Sequence, residues 1–354
     1  MTEQAAGLLG SCAFVPENDV YLHNQRLGLI TTSDDCMNMG FIYYLFKTPN
    51  VRNQIRQSSS GSKVKHTSPE RIYDVVAPIP KKEEQERIAQ VLSALDKKIE
   101  LNTKINVELE AMAKLIYDYW FVQFDFPDAN AKPYKSSGGK MVYSEQLKRD
   151  IPEGWEVKEL GELIEFERGI SYKSKEIAKS GTPMINLNSF DLTGKYKNKG
   201  LKHFSGSYKQ NKVCNTGDLV IAITDVTRNA DIIGKAFTIP KLFDGDILIS
   251  CDVAKVVPSD KLNKQFLEPL FNSEHYHSYI KHFASGTLVL HLNLEGVKWC
   301  KIPLPPIEVL NKYAELKQNV DKKIALSIKE NQQFEELRDW LLPMLMNGQV
   351  TVKA

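Results

Sequence analysis

Ala77-Pro78-Ile79-Pro80, followed by Asp96-Lys97-Lys98-Ile99 and Asn106, is one pattern. Ile302-Pro303-Leu304-Pro305-Pro306, followed by Asp321-Lys322-Lys323-Ile324 and Asn331, is the same pattern again. The offset, Asp96 to Asp321, is 225 residues, and the register holds without a gap from 41–110 onto 266–335. Phe41 meets Phe266, Leu45-Phe46 meets Leu270-Phe271, and Ile55 meets Ile280. Ser60-Gly61 meets Ser285-Gly286, Val64 meets Val289, and His66 meets His291. Pro78 and Pro80 meet Pro303 and Pro305, Glu83 meets Glu308, and Glu110 meets Glu335. Coincidence between two helical stretches does not produce this many matches in one register. A period this long is not a solenoid repeat; it means two copies of one unit, a domain followed by a helix.

Each copy ends in a long helix. From Glu83 to about Phe121 there is no Pro or Gly. Positions 88, 92, 95, 99, 102, 106, 109, 113, 116 and 120 advance in alternating steps of four and three and read Ile, Leu, Leu, Ile, Asn, Asn, Leu, Ala, Ile, Trp. That is a heptad seam. Asn106 recurs as Asn331 in the second helix, about Glu308 to Leu342. A polar seam residue costs stability and can fix register and partner. Packing on a globular core is the alternative; the duplication favours the two helices pairing with each other. The prolines before each helix suit an extended connector and a first turn. The Pro- and Gly-containing stretch from Phe126-Pro127 to Gly139 reads as a linker.

Between the helices, 151–300 reads mainly as short strands: 218–223, 246–250 and 253–257 are brief apolar runs bounded by turns. Helical pieces are expected at 264–272 and 273–283. The fold class is therefore α+β. The first copy is incomplete: Met1-Thr2-Glu3 falls opposite Ile223-Thr224-Asp225, and Ala13-Phe14 opposite Ala236-Phe237. The chain is expected to start inside a β-domain through a misassigned start, a truncation, or a piece supplied by another chain. That first remnant is expected to be unstable without its missing strands.

The 354 residues are 42% hydrophobic and 25% charged, which excludes disordered and collagen-like classes. No stretch of 18 apolar residues exists, so no membrane span is expected. Five cysteines without a CxxC spacing disfavour a disulfide framework or zinc finger and suit a reducing cytoplasm. No phosphate-binding GxxxxGK[ST], no HExxH and no GxSxG is present. His275 and His277 have no third ligand at a plausible spacing. The Asp/Asn-Pro-Pro-Tyr/Phe tetrapeptide with which an amino-methyltransferase holds its target base is also missing. The chain is expected to catalyse nothing alone.

The net charge of +2 is uninformative, but its distribution is not. Arg168 to Lys212 holds ten Lys/Arg against two acids, Glu176 and Asp191. The basic residues include Arg168, Lys173, Lys175, Lys195, Lys197, Lys199 and Lys202. Tyr172 and the amides Asn186 and Asn188 are interleaved with them. Cations supply phosphate contacts, and amides can read base edges; a solvated lysine-rich face is the competing reading. A smaller echo, with Lys63 and Lys65, lies in the first copy, where no acid occurs from Lys47 to His66. Ser60-Gly61-Ser62 and Ser285-Gly286-Thr287 are matched turns. They serve either the fold itself or a phosphate, gripped by exposed amides and hydroxyls such as those of Ser285 and Thr287.

Taken in order, these motifs resemble the type I restriction–modification specificity (S, HsdS) subunits. The resemblance is carried by Pro152-Glu153-Gly154-Trp155-Glu156-Val157-Lys158-Glu159-Leu160, Arg168-Gly169-Ile170, Gly217-Asp218-Leu219-Val220 and Ser285-Gly286-Thr287. It continues through Ile302-Pro303-Leu304-Pro305-Pro306-Ile307-Glu308, the helices bearing Asp-Lys-Lys-Ile, and Leu341-Leu342-Pro343-Met344-Leu345-Met346-Asn347-Gly348. The first helix has the fuller Lys81-Lys82-Glu83-Glu84-Gln85-Glu86-Arg87-Ile88 form. The resemblance implies α/β target recognition domains, each reading half of a bipartite double-stranded DNA target. It implies that the two helices form an antiparallel coiled coil holding two methyltransferase subunits, with restriction subunits joining the complex. S-adenosylmethionine and ATP are then expected on those partners and no cofactor on this chain. The domains follow: 1–80 an incomplete first recognition domain, 81–125 the first helical spacer, 126–150 a linker, 151–306 the second recognition domain, 307–354 the second spacer and tail. Domain 151–306 is expected to bind DNA alone. The alternative is a truncated scaffold that binds the methyltransferase but reads DNA poorly; an enzyme with an unrecognised site is a weaker one.

Overall fold

The computed structural model describes residues 1, 7–17, 19–32, 35–61 and 64–353. They fall into two compact units, 1–105 with 327–354, and 106–326. Both boundaries cut a long helix, whereas the sequence reading places its divisions at the ends of elements.

The first unit contains α1 (Met39–Lys47), α2 (Pro49–Gln57), α3 (Pro69–Tyr73) and the first part of α4 (Lys82–Tyr117). Asn38 caps α1 by accepting from the Phe41 amide, and Thr48 caps α2 by accepting from Val51. Such caps satisfy amides that the first turn leaves without a partner. Phe41, Tyr44, Ile88 and Leu92 close the unit's core against Leu342 and Leu345. The described part of 1–38 contains no helix or strand.

The second unit carries the sheets. Its strands are β1 (Met141–Ser144), β2 (Arg149–Pro152), β3 (Glu156–Glu159), β4 (Ile164–Arg168), β5 (Ile177–Ala178), β6 (Thr182–Ile185) and β7 (Lys202–Phe204). They continue as β8 (Leu219–Ala222), β9 (Thr224–Asp225), β10 (Ala236–Thr238), β11 (Leu248–Ile249) and β12 (Val253–Pro258). The helices α5 (Lys264–Asn272) and α6 (Glu274–Ile280) follow, then β13 (Ala284–Ser285), β14 (Leu290–Leu292), α7 (Leu294–Lys298), β15 (Lys301–Leu304) and α8 (Ile307–Met346). One antiparallel sheet runs β10-β8-β12-β4; a second, mixed sheet runs β11-β6-β7-β5. Strand β8 is apolar on both faces because the sheet is covered on both. Leu219 and Ile221 enter a core with Trp155, Phe266 and Tyr313, while Val220 and Ala222 enter another with Phe190 and Phe237.

The 225-residue offset found in the sequence also separates elements. It carries α1 onto α5, α3 onto α7, and the start of α4 onto the start of α8. The caps move with it: Asn263 accepts from Phe266 and Ser273 from Tyr276. The hairpins do too. Ser60 and His66 exchange backbone hydrogen bonds of 2.9 and 2.8 Å, and Ser285 pairs with His291. At both tips glycine has positive φ, +100° at Gly61 and +134° at Gly286. A Cβ there would collide with the carbonyl oxygen of Val64 or Val289. The two glycines are thus explained by the turn itself. Further upstream the copies diverge: Phe237 is 3% exposed in β10, but its sequence counterpart Phe14 is 55% exposed.

The stretch read as a linker is packed. Phe126 stacks on Tyr134 (4.7 Å between centroids) and on Trp155 (5.2 Å), while Phe124 meets Trp155 edge-on at 5.4 Å. The Asp125 carboxylate accepts the Ser136 amide at 2.7 Å. Pro and Gly signal turns here, but the aromatic residues between them anchor those turns to the core.

Candidate nucleic-acid interface

The basic run lies in the second unit, on the loops around β5, β6 and β7. The structure divides it into groups. Arg168 ends β4 and is exposed; with Glu165 and Lys298 it lines a groove of about 420 Å³. Its carbonyl accepts from Lys212 Nζ at 2.8 Å. Tyr172 accepts from Lys202 Nζ at 2.7 Å, and that ammonium lies 5.0 Å from the Tyr172 ring centroid. This cation–π contact holds a cation and an aromatic together at the surface. Lys173 and Lys175 follow Tyr172 and are exposed. The Lys173 amide donates to Glu176 at 2.6 Å, so one of the run's two acids is engaged in shaping the loop.

Lys195 turns elsewhere. It ends a turn in which Asp191 accepts the Thr193 and Lys195 amides, and its ammonium pairs with Glu110 on α4. Lys197, Lys199 and Asn188 are exposed nearby. Asn186 is not on the surface. It is 2% exposed; its Nδ2 donates to the Gly200 carbonyl at 2.7 Å, and its Oδ1 accepts the Asn188 amide at 3.0 Å. The amide that the sequence reading assigns to DNA pins two loop segments together instead, and Asn186 leaves the candidate set. Its spacing from Asn188 is that of an Asx turn, which uses the side chain locally.

Ser285 and Thr287 sit apart from the basic run, at the exposed tip of the β13–β14 hairpin, which pairs with β9. Lys65 is half-buried in the first unit, and Lys63 lies outside the described residues.

A further group of cations is scattered in sequence. Lys235 and Lys281 both bear on His277, whose imidazole is held below its ordinary pKa by burial first and by these two ammoniums next. Lys235 also donates to the Leu192 carbonyl at 2.6 Å, which ties it to the turn carrying Lys195. Lys235 precedes β10 and Lys281 follows α6, so no window of the sequence exposes the group.

Among the described residues no group of three His, Cys, Asp or Glu is placed to hold a metal, and no helix is long and apolar enough to cross a membrane. The features define an α+β protein with cationic loops.

Comparison with known proteins narrows that class. Residues 5–111 and 152–336 match the type I restriction modification DNA specificity domain, and the chain belongs to that family. It is 27% identical over 328 residues to the type I restriction enzyme MjaIX specificity subunit of Methanocaldococcus jannaschii, covering 88% of this chain and 69% of that protein. It is 26% identical over 382 residues to the HindI specificity subunit of Haemophilus influenzae, covering 94% and 82%. The crystal structure of a type I restriction–modification S subunit from M. genitalium aligns with a TM-score of 0.54 at 17% identity, over 88% of this chain and 73% of that one, a likeness of fold. The chain is a specificity subunit rather than a methyltransferase or nuclease.

Proposed function

We propose that this chain reads a bipartite duplex DNA target for a type I restriction–modification complex. In this reading 151–306 and 1–80 are target recognition domains. The helices within 81–125 and 307–354 form an antiparallel coiled coil that holds two methyltransferase subunits, and restriction subunits join the complex. S-adenosylmethionine and ATP act on those partners. The observation that carries the reading is the cationic loop surface of the second unit, borne by a chain of this family. The exposed Arg168, Lys173 and Lys175, with the half-buried Tyr172–Lys202 pair, present charges and a ring with which phosphates and bases are gripped.

The pairing of the helices is supported by contacts within each unit. Arg338 donates to Asp96 at 2.8 Å and Asn102 donates to Asn331 at 3.0 Å in the first unit. In the second, the rings of Tyr117 and Tyr313 lie 5.9 Å apart. Partners on α8 fall in number as those on α4 rise, which is the antiparallel sense. Spacers of this length suit two readers about one duplex turn apart, ~34 Å, where effective concentration turns two short half-sites into one tight site.

The test is a methylation map. The chain is co-expressed with its cognate methyltransferase subunit, and N6-methyladenine is read by single-molecule sequencing against the methyltransferase alone. A bipartite motif with a fixed gap is expected. A stable complex that methylates nothing would replace this reading with the scaffold.

A further inference from the structure

We infer that the specificity-determining ridge of the second unit lies outside the basic run. It is formed by the loop 226–229 after β9 and the tip 286–289 of the β13–β14 hairpin, with Leu288 and Arg228 as base-reading side chains. The inference rests on the DNA reading proposed above and names the contact surface within it.

The two segments are neighbours by strand pairing. Thr224 pairs with His291 and Asp225 with Leu290, so the chain leaves β9 alongside the segment that enters β14. Both are held rigidly from below. Asp225 is fully buried, and its carboxylate accepts three backbone amides: Thr227 and Ile232 at 2.6 Å and Ile233 at 2.9 Å. The Asp231 amide donates to Thr227 Oγ1 at 2.8 Å, closing the loop base a second time. The hairpin is fixed by the Ser285–His291 pair and by the turn that only Gly286 accommodates.

These anchors present an apolar tip beside an exposed cation. Leu288 is 87% exposed and Val226 62%. Arg228 and Asn229 are exposed beside them, and among the described residues no carboxylate lies at ion-pair distance from Arg228. A leucine held almost wholly in water at the tip of a pinned hairpin forgoes the burial that a leucine normally contributes. Its surface is recovered when a partner covers it. Rigid presentation keeps the ordering cost of that event small. The partner's chemistry follows from the mixture. Apolar tips contact thymine methyl groups or wedge against a base step, while a guanidinium with free donors addresses a guanine edge. The flank carries Lys235 and Lys281, whose charges bear on His277 more strongly than that of Asp231, and the neighbour of His277 across a backbone hydrogen bond is Ala230, which follows the loop. A polyanion fits this flank better than a protein surface of ordinary charge. The surface is also variable between the copies, as a reader of two different half-sites requires: the residue aligned with Leu288 is Lys63.

The test uses the full chain and a randomised duplex library, selected at low salt and sequenced, with affinities then measured on the selected and a shuffled duplex. Leu288→Ser and Arg228→Gln are each expected to weaken the selected duplex by about tenfold or more, the worth of one good base contact. The shuffled duplex should change by less than about twofold, because phosphate contacts dominate there. Leu288→Met, which keeps an apolar tip, is expected to retain most of the preference. Both side chains stand in solvent, so an unchanged melting temperature accompanies the loss. The ridge is overturned if wild type selects a sequence and both variants select it equally well. It is also overturned if they weaken both duplexes alike, or lose capture of the methyltransferase subunit instead of the DNA preference. If wild type selects no sequence, the DNA reading itself falls, and this inference with it.

Discussion

Lys317 shows how one residue can contradict its pattern. The 225-residue offset places it opposite Leu92, a core residue of the first unit, yet it is a lysine only 8% exposed. Its ammonium donates to Glu268 on α5 at 3.1 Å and to Asp321 at 2.5 Å. A buried pair adds little over an apolar one, but breaking it leaves charges without partners. Lys317→Leu is therefore expected to destabilise the chain by about 3–5 kcal/mol in chemical denaturation. Replacing Lys317, Glu268 and Asp321 together by apolar residues should recover most of that. The triad also sets a pH dependence. Burial, and after it the Glu268 charge, lifts the Asp321 carboxyl to about 6 against the pull of Lys317, while Glu268 is held below its ordinary value. A raised acid favours folding at low pH: its contribution is complete below the ordinary 3.8 and is lost as pH rises through about 6. Glu268 acts in the opposite sense, its contribution being lost only as pH falls below its ordinary 4.5. Between about pH 5 and about pH 6.5 the Asp321 slope thus stands alone within the triad. Asp321→Asn should flatten the fall in stability over that window, measured by denaturant midpoints against wild type. None of this is legible in sequence, because the charge that buries Lys317 comes from a helix 49 residues away.

At the scale of elements the sequence is more transparent. The four-and-three stepping along α4 and just past its end names ten positions, and none of the ten is exposed; the equivalent ten on α8, 313 to 345, are not exposed either. A period is a local property that needs no tertiary context, so it survives into the fold. The same holds for the caps and hairpin glycines, whose offsets are fixed by backbone geometry. What the period does not reveal is which polar seam residues find each other. Asn331 is the sequence counterpart of Asn106, but its partner is Asn102; Asn331 Oδ1 accepts from Asn102, and its Nδ2 approaches the Ile99 carbonyl at 3.4 Å. The Asn106 side-chain oxygen is buried without a hydrogen bond. The two asparagines should therefore respond differently to leucine. Asn106→Leu removes an unsatisfied buried acceptor and is expected to raise stability by about 1–2 kcal/mol. Asn331→Leu removes one of the two acceptors of the Asn102 amide, leaving it Glu330 at 3.1 Å, and is expected to give no gain. Thermal denaturation of the full chain separates the two, and an equal rise in both would show that the Asn102–Asn331 contact contributes nothing. The 126–150 stretch shows the complementary case. Its Pro and Gly residues mark turns correctly, but whether a turn is free or packed depends on Trp155, which the local composition does not report.

At the scale of the whole molecule, duplication and motif order carried the family, while charge alone located only part of the candidate interface. Cations close in sequence, Lys195 among them, can be neutralised by a distant helix, and cations far apart can converge, as Lys235 and Lys281 do on His277. The spacer reading makes a demand that no local measurement tests. Helix α4 has 36 residues and α8 has 40, lengths of ~54 and ~60 Å at 1.5 Å per residue. If paired helices set the distance between two readers, lengthening both by one heptad in register adds ~10 Å and keeps every seam position facing its partner. At ~3.4 Å per base pair that is about three base pairs more between the half-sites. Duplicating 99–105 in α4 and the facing heptad of α8 should accordingly give a methylated motif with both half-sites unchanged and a gap longer by about three. Lengthening α4 alone leaves seven residues without a partner and should abolish methylation rather than shift it. An unchanged gap in the doubly lengthened chain would mean that the spacing is set elsewhere, by the methyltransferase subunits or by the DNA, and that the helices serve assembly only.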